Sequence, residues 1–232
     1  MAAATLLFWP SSSLFCAPNQ TTEVSAEARI LAAPNAKGES RTNEGMVVWL
    51  VPVGDSNVAT APPEPKGHLQ LAQKNKQFVP RLLVVQVGSV VDFPNLDPFF
   101  HNVFSLFNGK RFDLGLYESG SSRSVHFNKA GVSYIFCNIH PEMSAVVVAV
   151  PTPFFAASSA SGALAIHNVP EGSYEMHVWA LGSDEATLAA LTRRVAVTGR
   201  GVDLGTIQLN ESGTGNHKNK FGEDYDNKVS PY

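Results

Sequence analysis

Short apolar and β-branched runs, separated by turns rich in Gly, Pro and Asn, recur along the first two thirds of the chain. No helical period of about 3.6 residues is sustained over ten residues there. The runs that favour strands are "MVVWLVPV", "PRLLVVQV" and "SVVDFPN" on either side of Gly88, "NVFSLF", "KRFDLGLY", "SRSVHF", "VSYIF" and "SAVVVAV". The pattern predicts an all-β fold, a β-sandwich or Greek-key barrel that ends near Val150.

A second series of strand patterns follows the Pro- and Ser-rich stretch "PTPFFAASSASG". Its runs are "ALAIHNV", "YEMHVWAL", "LTRRVAV" and "VDLGTIQL". They predict a second, smaller β-sandwich over Pro153 to Leu209. Between them, "DEATLAALT" (Asp184 to Thr192) favours a short helix because its acidic residues fall in the first turn.

The two ends of the chain differ from this pattern. The start, "MAAATLLFWPSSSLFCAPNQ", has the apolar run and small residues of a weak export signal, and Leu14-Phe15-Cys16 resembles a lipoprotein cleavage box. We therefore predict a periplasmic or otherwise extracytoplasmic protein, with a membrane contact only if Cys16 carries a lipid. The last stretch, 211–232, is polar and Gly/Asn-rich, which predicts a disordered tail.

Composition and motifs exclude several classes of function. The formal net charge of -3, with 16% charged residues, gives no basic stripe, so we expect no nucleic-acid partner. The chain has no GxSxG, HExxH or P-loop pattern, so no motif supports a hydrolase or a nucleotide-binding function.

Candidate chemistry is concentrated in "CNIHPEM", which must connect the strands "VSYIF" and "SAVVVAV". It places Cys137, His140 and Met143 in one tight loop. Thiolate and thioether are soft donors and imidazole is intermediate, so the set suits copper, with a structural zinc site as the second choice. The plainest alternative is that Cys137 is an inert buried thiol.

A copper site for electron transfer needs two imidazoles, a thiolate and a weak axial sulfur, so a second histidine is expected. His101, in "DPFFHNVFS", opens a predicted strand 36 residues before Cys137. Aromatic residues surround both segments and predict a shell that excludes water. They are Phe93, Phe99, Phe100, Phe104, Tyr134 and Phe136.

"HNVFS" followed by "FCNIHPEM" resembles the blue-copper cupredoxin family, and the CxxHxxM spacing is similar to that of amicyanin. The matching region runs from about Met46 to Val150. "SGALAIHNVPEGSYEMHVWAL" resembles the small carboxypeptidase-regulatory-like β-sandwich, and the whole resembles bacterial methylamine-utilisation-like cupredoxin proteins. The predicted domains are therefore a leader or disordered N-terminus over 1–28, a Greek-key cupredoxin sandwich over 29–151, the second sandwich over 152–210 and the tail.

The resemblance implies a ligand set and a function. His101, Cys137, His140 and Met143 take the ligand positions for one copper ion (Cu+/Cu2+), with Met143 axial. Asn102 matches an Asn that ties the two ligand segments together by hydrogen bonds. His140, flanked by Ile139 and Pro141, would be the electron port where redox partner proteins dock weakly and transiently.

The residues beside Cys137 are Phe136 and Asn138, whereas proteins that relay electrons to a second copper centre place a His there. We therefore predict a mononuclear electron carrier that is not an enzyme. The alternative is a copper-handling or partner-binding module without carrier activity. A purely structural protein without metal also remains possible at this point.

The other polar candidates have simpler interpretations. His126 lies between residues of the opposite strand face and is expected in solvent, and Met176 is expected to pack in a core. Asp97 and Glu142 lie near the predicted site but give no sign of forming an acid/base pair. The remaining histidines are predicted to be structural or solvated, namely His68, His167, His177 and His217.

Overall fold

The computed structural model describes residues 21–31, 43–54, 67–106 and 109–210, and nearly all of its regular structure is β-strand. The strands are β1 Thr21–Leu31, β2 Val47–Pro52, β3 His68–Gln70, β4 Ala72–Lys74, β5 Gln77–Val79, β6 Leu82–Gln86, β7 Ser89–Pro94, β8 His101–Ser105, β9 Phe112–Tyr117, β10 Ser122–Phe127, β11 Gly131–Phe136, β12 Ser144–Val150, β13 Phe155–Ala157, β14 Ala163–Pro170, β15 Gly172–Trp179, β16 Arg193–Val197 and β17 Val202–Asn210. The helix α1 spans Glu185–Leu191. The predicted all-β class is confirmed.

Two sheets in the middle of the chain enclose one hydrophobic core. One has the strand order β6-β12-β11-β8-β9 and the other β10-β7-β3. Alternate residues of these strands, such as Val91, Phe93 and Ile135, are fully buried between the sheets. Cys137 and Met143 are buried in the same core, so the loop that predicted the chemistry is anchored in the interior of this first sandwich.

The predicted connection between two core strands is confirmed. β11 and β12 are antiparallel neighbours, and their register closes with Phe136 opposite Ser144. β12 also pairs in parallel with β6, which buries it within the sheet. Because both strands are held along their length, the loop between them has a fixed start and a fixed end.

The second sandwich contains strands from both ends of the described chain. Its sheets have the orders β14-β1-β17 and β13-β2-β15-β16 around a separate core. The sequence pattern placed "MVVWLVPV" with the cupredoxin strands, and it placed residues 21–28 in a leader or disordered segment. Both predictions were wrong, because these residues form strands of the second sandwich. β1 pairs with β14 and β17, and β2 pairs with β13 and β15. Whether the predicted domains fold independently stays a prediction.

The reason for this error lies in the burial of β2. Met46, Val48 and Leu50 face the core of the second sandwich, whereas Val47 faces the first sandwich. A strand covered on both faces is apolar throughout, and such a pattern does not indicate which sheet it joins. β1 was missed because most of its buried residues are small, as with Ala26 and Ala28, and give a weak hydrophobic signal.

An apolar layer joins the two sandwiches. Val146, Val148 and Val150 project from β12 on the face opposite the first core, and they cluster with Val47 and Trp179 of the second sandwich. This layer buries the outer face of the sheet that contains β6, β12 and β11. The two sandwiches therefore share an interface with a core of its own.

The predicted short helix is confirmed as α1, and Asp184 caps it by accepting a hydrogen bond from the backbone N–H of Thr187 at 2.8 Å. Within the described residues, no helix is long and apolar enough to span a membrane. The predicted signal sequence, the lipidation site at Cys16, the predicted tail 211–232 and His217 lie outside the described residues.

Candidate metal centre

His101 is positioned by a loop that is tied down before β8 begins. Asn95, directly after β7, donates from Nδ2 to the carbonyls of Phe99 (2.8 Å) and Tyr117 (3.2 Å), and its Oδ1 accepts the N–H of Asp97 at 3.1 Å. The Asn95 side chain is fully buried. Since its polar atoms replace backbone pairing inside the loop, the segment 95–100 delivers His101 to a defined place in the interior.

Cys137 and His140 are positioned by the tight turn between β11 and β12. The N–H of Cys137 donates to the carbonyl of Met143 at 3.3 Å, and the N–H of Met143 donates to the carbonyl of His140 at 3.1 Å. Cys137 and Met143 are both fully buried, whereas His140 is 6% exposed. The short loop therefore turns its sulfur residues inward and leaves His140 slightly exposed.

Three potential ligand atoms meet at one point. His101 Nδ1 and His140 Nδ1 lie 3.2 Å apart, and Cys137 Sγ lies 3.7 Å from each. With metal–nitrogen and metal–sulfur bonds of about 2.0–2.3 Å, ligands at angles of about 120° around one ion lie about 3.5–3.7 Å apart. The triangle therefore fits a single ion, and one thiolate with two imidazoles is the donor set that copper takes in trigonal electron-transfer sites.

Among the residues that the structure describes, this is the only group of three or more His, Cys, Asp or Glu side chains with such close donor atoms. The structure thus brings together three of the four predicted ligands. Met143 is buried in the same core cluster as Cys137, directly before β12. Metal binding by all four residues, and the axial role of Met143, remain predictions.

A carboxylate that sequence reasoning set aside contacts the site directly. Asp97 Oδ2 lies 2.8 Å from Nε2 of His101, and both side chains are buried, with 5% and 0% exposure. The carboxylate also accepts the N–H groups of Asn75 at 2.6 Å and Lys76 at 2.9 Å. In the sequence, the one sign of this contact is that Asp97 precedes the candidate ligand His101 by four residues.

The charge state of Asp97 follows from these contacts. Burial opposes ionisation, but the hydrogen bonds from Lys76, His101 and Asn75 outweigh it, and the pKa of Asp97 is lowered from its ordinary value. An ionised carboxylate only accepts hydrogen bonds, so the hydrogen of the His101 ring belongs on Nε2. Nδ1, the atom that faces Cys137 and His140, then carries a lone pair that can accept a hydrogen bond or bind a metal ion.

Burial also governs the other two donors. It raises the pKa of Cys137, against the backbone N–H groups of Asn102, Ile139 and His140, which lower it. It lowers the pKa of His140, with His101 as a further cause. A buried thiol that stays protonated on its own needs a cation to stabilise the thiolate, which is the role a bound metal ion plays.

The expected aromatic shell is present in part. The Phe99 ring meets His101 edge-on at a centroid distance of 5.1 Å and His140 at 5.6 Å. Phe93, Phe104 and Phe136 are buried, whereas Phe100 is 46% exposed. Phe99 is therefore the aromatic residue that covers both imidazoles, and Phe100 faces solvent instead of closing the site.

The expected hydrogen bond between the two ligand segments is made by the main chain of Asn102. Its side chain donates from Nδ2 to Asp113 on β9 at 2.8 Å, and the group that bonds to Cys137 is its backbone N–H. β8 has an irregularity between Asn102 and Phe104 in its pairing with β9. Such irregularities redirect local backbone groups. Here the irregularity lies beside the backbone N–H of Asn102, which contacts Cys137.

The remaining candidates do not belong to the triangle of donor atoms. His126 is exposed, and Met176 is buried in the core of the second sandwich. His68 pairs with Asp92 at 2.9 Å, His167 with Glu23 at 2.9 Å and His177 with Glu175 at 3.0 Å. Glu142 is exposed, and among the described residues no hydrogen bond joins it to Asp97.

Comparisons with known proteins give distant structural similarities. No protein-family model matches the sequence. No curated protein matches it either. Among solved structures, the reduced form of an amicyanin variant is 20% identical with a TM-score of 0.34, over 44% of this chain and 98% of amicyanin. A purple cupredoxin from Nitrosopumilus maritimus is 22% identical with a TM-score of 0.32, over 36% of this chain and 99% of its own.

A copper-containing nitrite reductase from Thermus scotoductus SA-01 is also similar, at 20% identity and a TM-score of 0.34, over 52% of this chain and 28% of the reductase. Similarities at this level carry no functional assignment. The assignment of a metal centre rests instead on the donor atoms of this chain, which form one buried triangle of a thiol and two imidazoles.

Proposed function

We propose that this chain is a mononuclear type 1 copper protein of the cupredoxin kind, which carries electrons outside the cytoplasm. The observation that carries the proposal is the buried triangle of Cys137 Sγ, His101 Nδ1 and His140 Nδ1, with edges of 3.2 to 3.7 Å. Met143, on the same loop and in the same core, would add the axial thioether. Bound copper would supply a one-electron couple between Cu(I) and Cu(II).

The surroundings of the ligands suit repeated electron transfer. His101 is held by Asp97 and the Asn95-anchored loop. The backbone N–H of Cys137 donates to the carbonyl of Met143, which closes the seven-residue turn. Ligands that are fixed by hydrogen bonds and packing change position little when the charge at the site changes. This rigidity and burial disfavour the alternative function in copper delivery, which requires ligands that open to release the ion.

His140 is the proposed electron port. Of the two histidines it is the one with any exposure, 6% against 0% for His101. Pro141 beside it is exposed, and the loop before His101 exposes Leu96 (57%) and Phe100 (46%). Exposed apolar side chains near a redox centre favour weak, transient docking of a partner protein. We propose redox proteins as partners and no catalytic activity for the chain itself.

The visible absorption spectrum of the copper-loaded protein tests this proposal. We expect an intense blue or green colour from the thiolate–copper bond, which is lost in Cys137→Ser. Cys16→Ser is the matched control, because it removes the other cysteine of the sequence and should keep the colour. A wild-type protein that stays colourless after loading with Cu(II) would show that the proposal is wrong.

Voltammetry separates a carrier from a copper-handling module. A carrier gives a reversible one-electron wave and retains Cu(I) against a chelator. Rapid transfer of Cu(I) to the chelator, without a reversible wave, would instead support copper handling.

A further inference from the structure

The turn between β4 and β5 contacts the candidate metal centre through Asp97. Asn75 and Lys76 occupy this turn, and both have positive φ, 56° and 55°. Consecutive residues in this conformation form the tight hairpin turn that joins two twisted antiparallel strands. Here the same turn points both of its backbone N–H groups at one carboxylate, Asn75 to Oδ1 and Lys76 to Oδ2 of Asp97.

Asp97 therefore has partners on both sides. Two backbone N–H groups hold its oxygens from the hairpin, and its own N–H is held by Asn95 Oδ1 at 3.1 Å. The oxygen that Lys76 contacts, Oδ2, also lies 2.8 Å from His101 Nε2. Lys76 reaches the site a second time, since its Nζ lies 5.3 Å from the centre of the Phe99 ring that covers both imidazoles.

We propose that Asp97, clamped by the β4–β5 turn, is a positioning residue that fixes the Nε2–H tautomer and orientation of His101 and favours the oxidised state of the metal centre. The second part of this proposal, the effect on the oxidation state of the metal centre, rests on the proposed function. Carboxylates that accept from the remote nitrogen of a ligating histidine orient the ring and raise its basicity. A buried negative charge beside the ligand also stabilises the more positive Cu(II) form relative to Cu(I).

The chain offers a matched control for this charge. Asp92, on β7, also pairs with a histidine, His68, at 2.9 Å, and accepts from Ser124 at 2.6 Å. His68 lies on the edge strand β3 and its side chain is 59% exposed, and the pair belongs to no group of potential metal ligands within the described residues. Asp92→Asn therefore removes the same charge from an Asp–His pair outside the site.

The first experiment needs no metal. Nitrogen-15 NMR of the copper-free protein should show the His101 ring with its hydrogen on Nε2, and Asp97→Asn should abolish the strong preference for this tautomer. Asp92→Asn should leave the His101 signals unchanged. A wild-type His101 with its hydrogen on Nδ1 overturns the proposal, whatever the variants do.

The second experiment compares reduction potentials of copper-loaded proteins at one pH. Asp97→Asn should favour Cu(I) over Cu(II) by at least tenfold relative to wild type, which for one electron is a rise of about 59 mV. Asp97→Glu, which restores the charge, should recover most of this shift, and Asp92→Asn should give none. A folded, copper-loaded Asp97→Asn protein with the wild-type potential overturns the proposal.

The outcomes separate this proposal from the proposed function. If wild-type protein binds no copper, the proposed function and the redox part of this proposal both fail, while the tautomer measurement still tests the positioning of His101. If wild type is a blue-copper protein but Asp97→Asn changes neither the tautomer nor the potential, only the role of Asp97 fails. If Asp97→Asn does not fold, the wild-type tautomer and the potential of Asp97→Glu decide. A potential for Asp97→Glu that lies about 59 mV or more above that of wild type overturns the charge effect.

Discussion

The chemistry of single residues was readable from the sequence where the ligands are close in the chain. Cys137, His140 and Met143 fall within seven residues, so a tight turn alone brings them near one another. His101 was inferred because a thiolate and one imidazole leave a copper site incomplete. Asp97 was not recognised, because its importance depends on the N–H groups of a hairpin turn more than twenty residues earlier.

The role of Met143 can be tested by removing its sulfur alone. Met143→Leu conserves volume and should cost less than about 1.5 kcal/mol in the free energy of unfolding. Loss of a weak donor costs the oxidised state more than the reduced state, so the reduction potential should rise and the visible spectrum should change. Voltammetry and absorption of the copper-loaded variant measure both.

The control for this variant is Met176→Leu, which changes a buried methionine in the core of the second sandwich. It should have a similar effect on stability and no effect on the potential. Equal potentials for both variants and wild type would contradict the axial assignment of Met143.

At the scale of secondary structure, long apolar strands were predicted well and short ones were missed. β7, β11 and β12 stand out as β-branched runs between turn residues. β3, β4 and β5 have three residues each, which is too short for any periodic pattern. The missed hairpin β4–β5 is also the one that holds Asp97, so the error in the fold and the missed site residue share one cause.

The turn before β9 depends on a glycine that packs against β11. Gly109 has a φ of +57°, and a Cβ there would lie 2.6 Å from Ser133 Oγ and 2.7 Å from the carbonyl oxygen of Val132. We expect Gly109→Ala to lower the free energy of unfolding by about 3 kcal/mol, because left-handed strain and a backbone clash act together. Chemical denaturation measures this loss.

Gly120→Ala is the control, since Gly120 has a φ of +77° and open space where its Cβ would lie. It should lose only the conformational part, about 1 kcal/mol. If the two variants were equally stable, the close packing of Gly109 against β11 would be wrong.

At the scale of the whole molecule, the first sandwich lies within the chain of the second. β1 and β2 precede it, β13 to β17 follow it, and all of these strands share the second pair of sheets. The apolar layer around Val148 and Trp179 then joins the two cores. Chain connection at both ends and a shared interface both favour coupled unfolding.

We therefore expect one thermal transition for both sandwiches. Copper absorption would follow the first, and fluorescence would follow Trp49 and Trp179 on the second. Val148→Asp should lower stability by about 3 kcal/mol or more, because it buries an unpaired charge in the layer, and should separate the two midpoints.

The exposed Val79→Asp serves as the control for an added charge and should leave a single transition. Two well-separated transitions in the wild-type protein would show that the interface does not couple the sandwiches.

The sequence by itself determined the all-β class, the strands of the first core and the loop that holds Cys137, His140 and Met143, because these features depend on local periodicity and close spacing. Only the tertiary structure decided that β1 and β2 complete the second sandwich, since strands that are buried on both faces or built from small residues do not specify their partners. It also decided that Asp97 faces His101, because the hairpin turn that holds Asp97 meets the loop before His101 only in the folded chain.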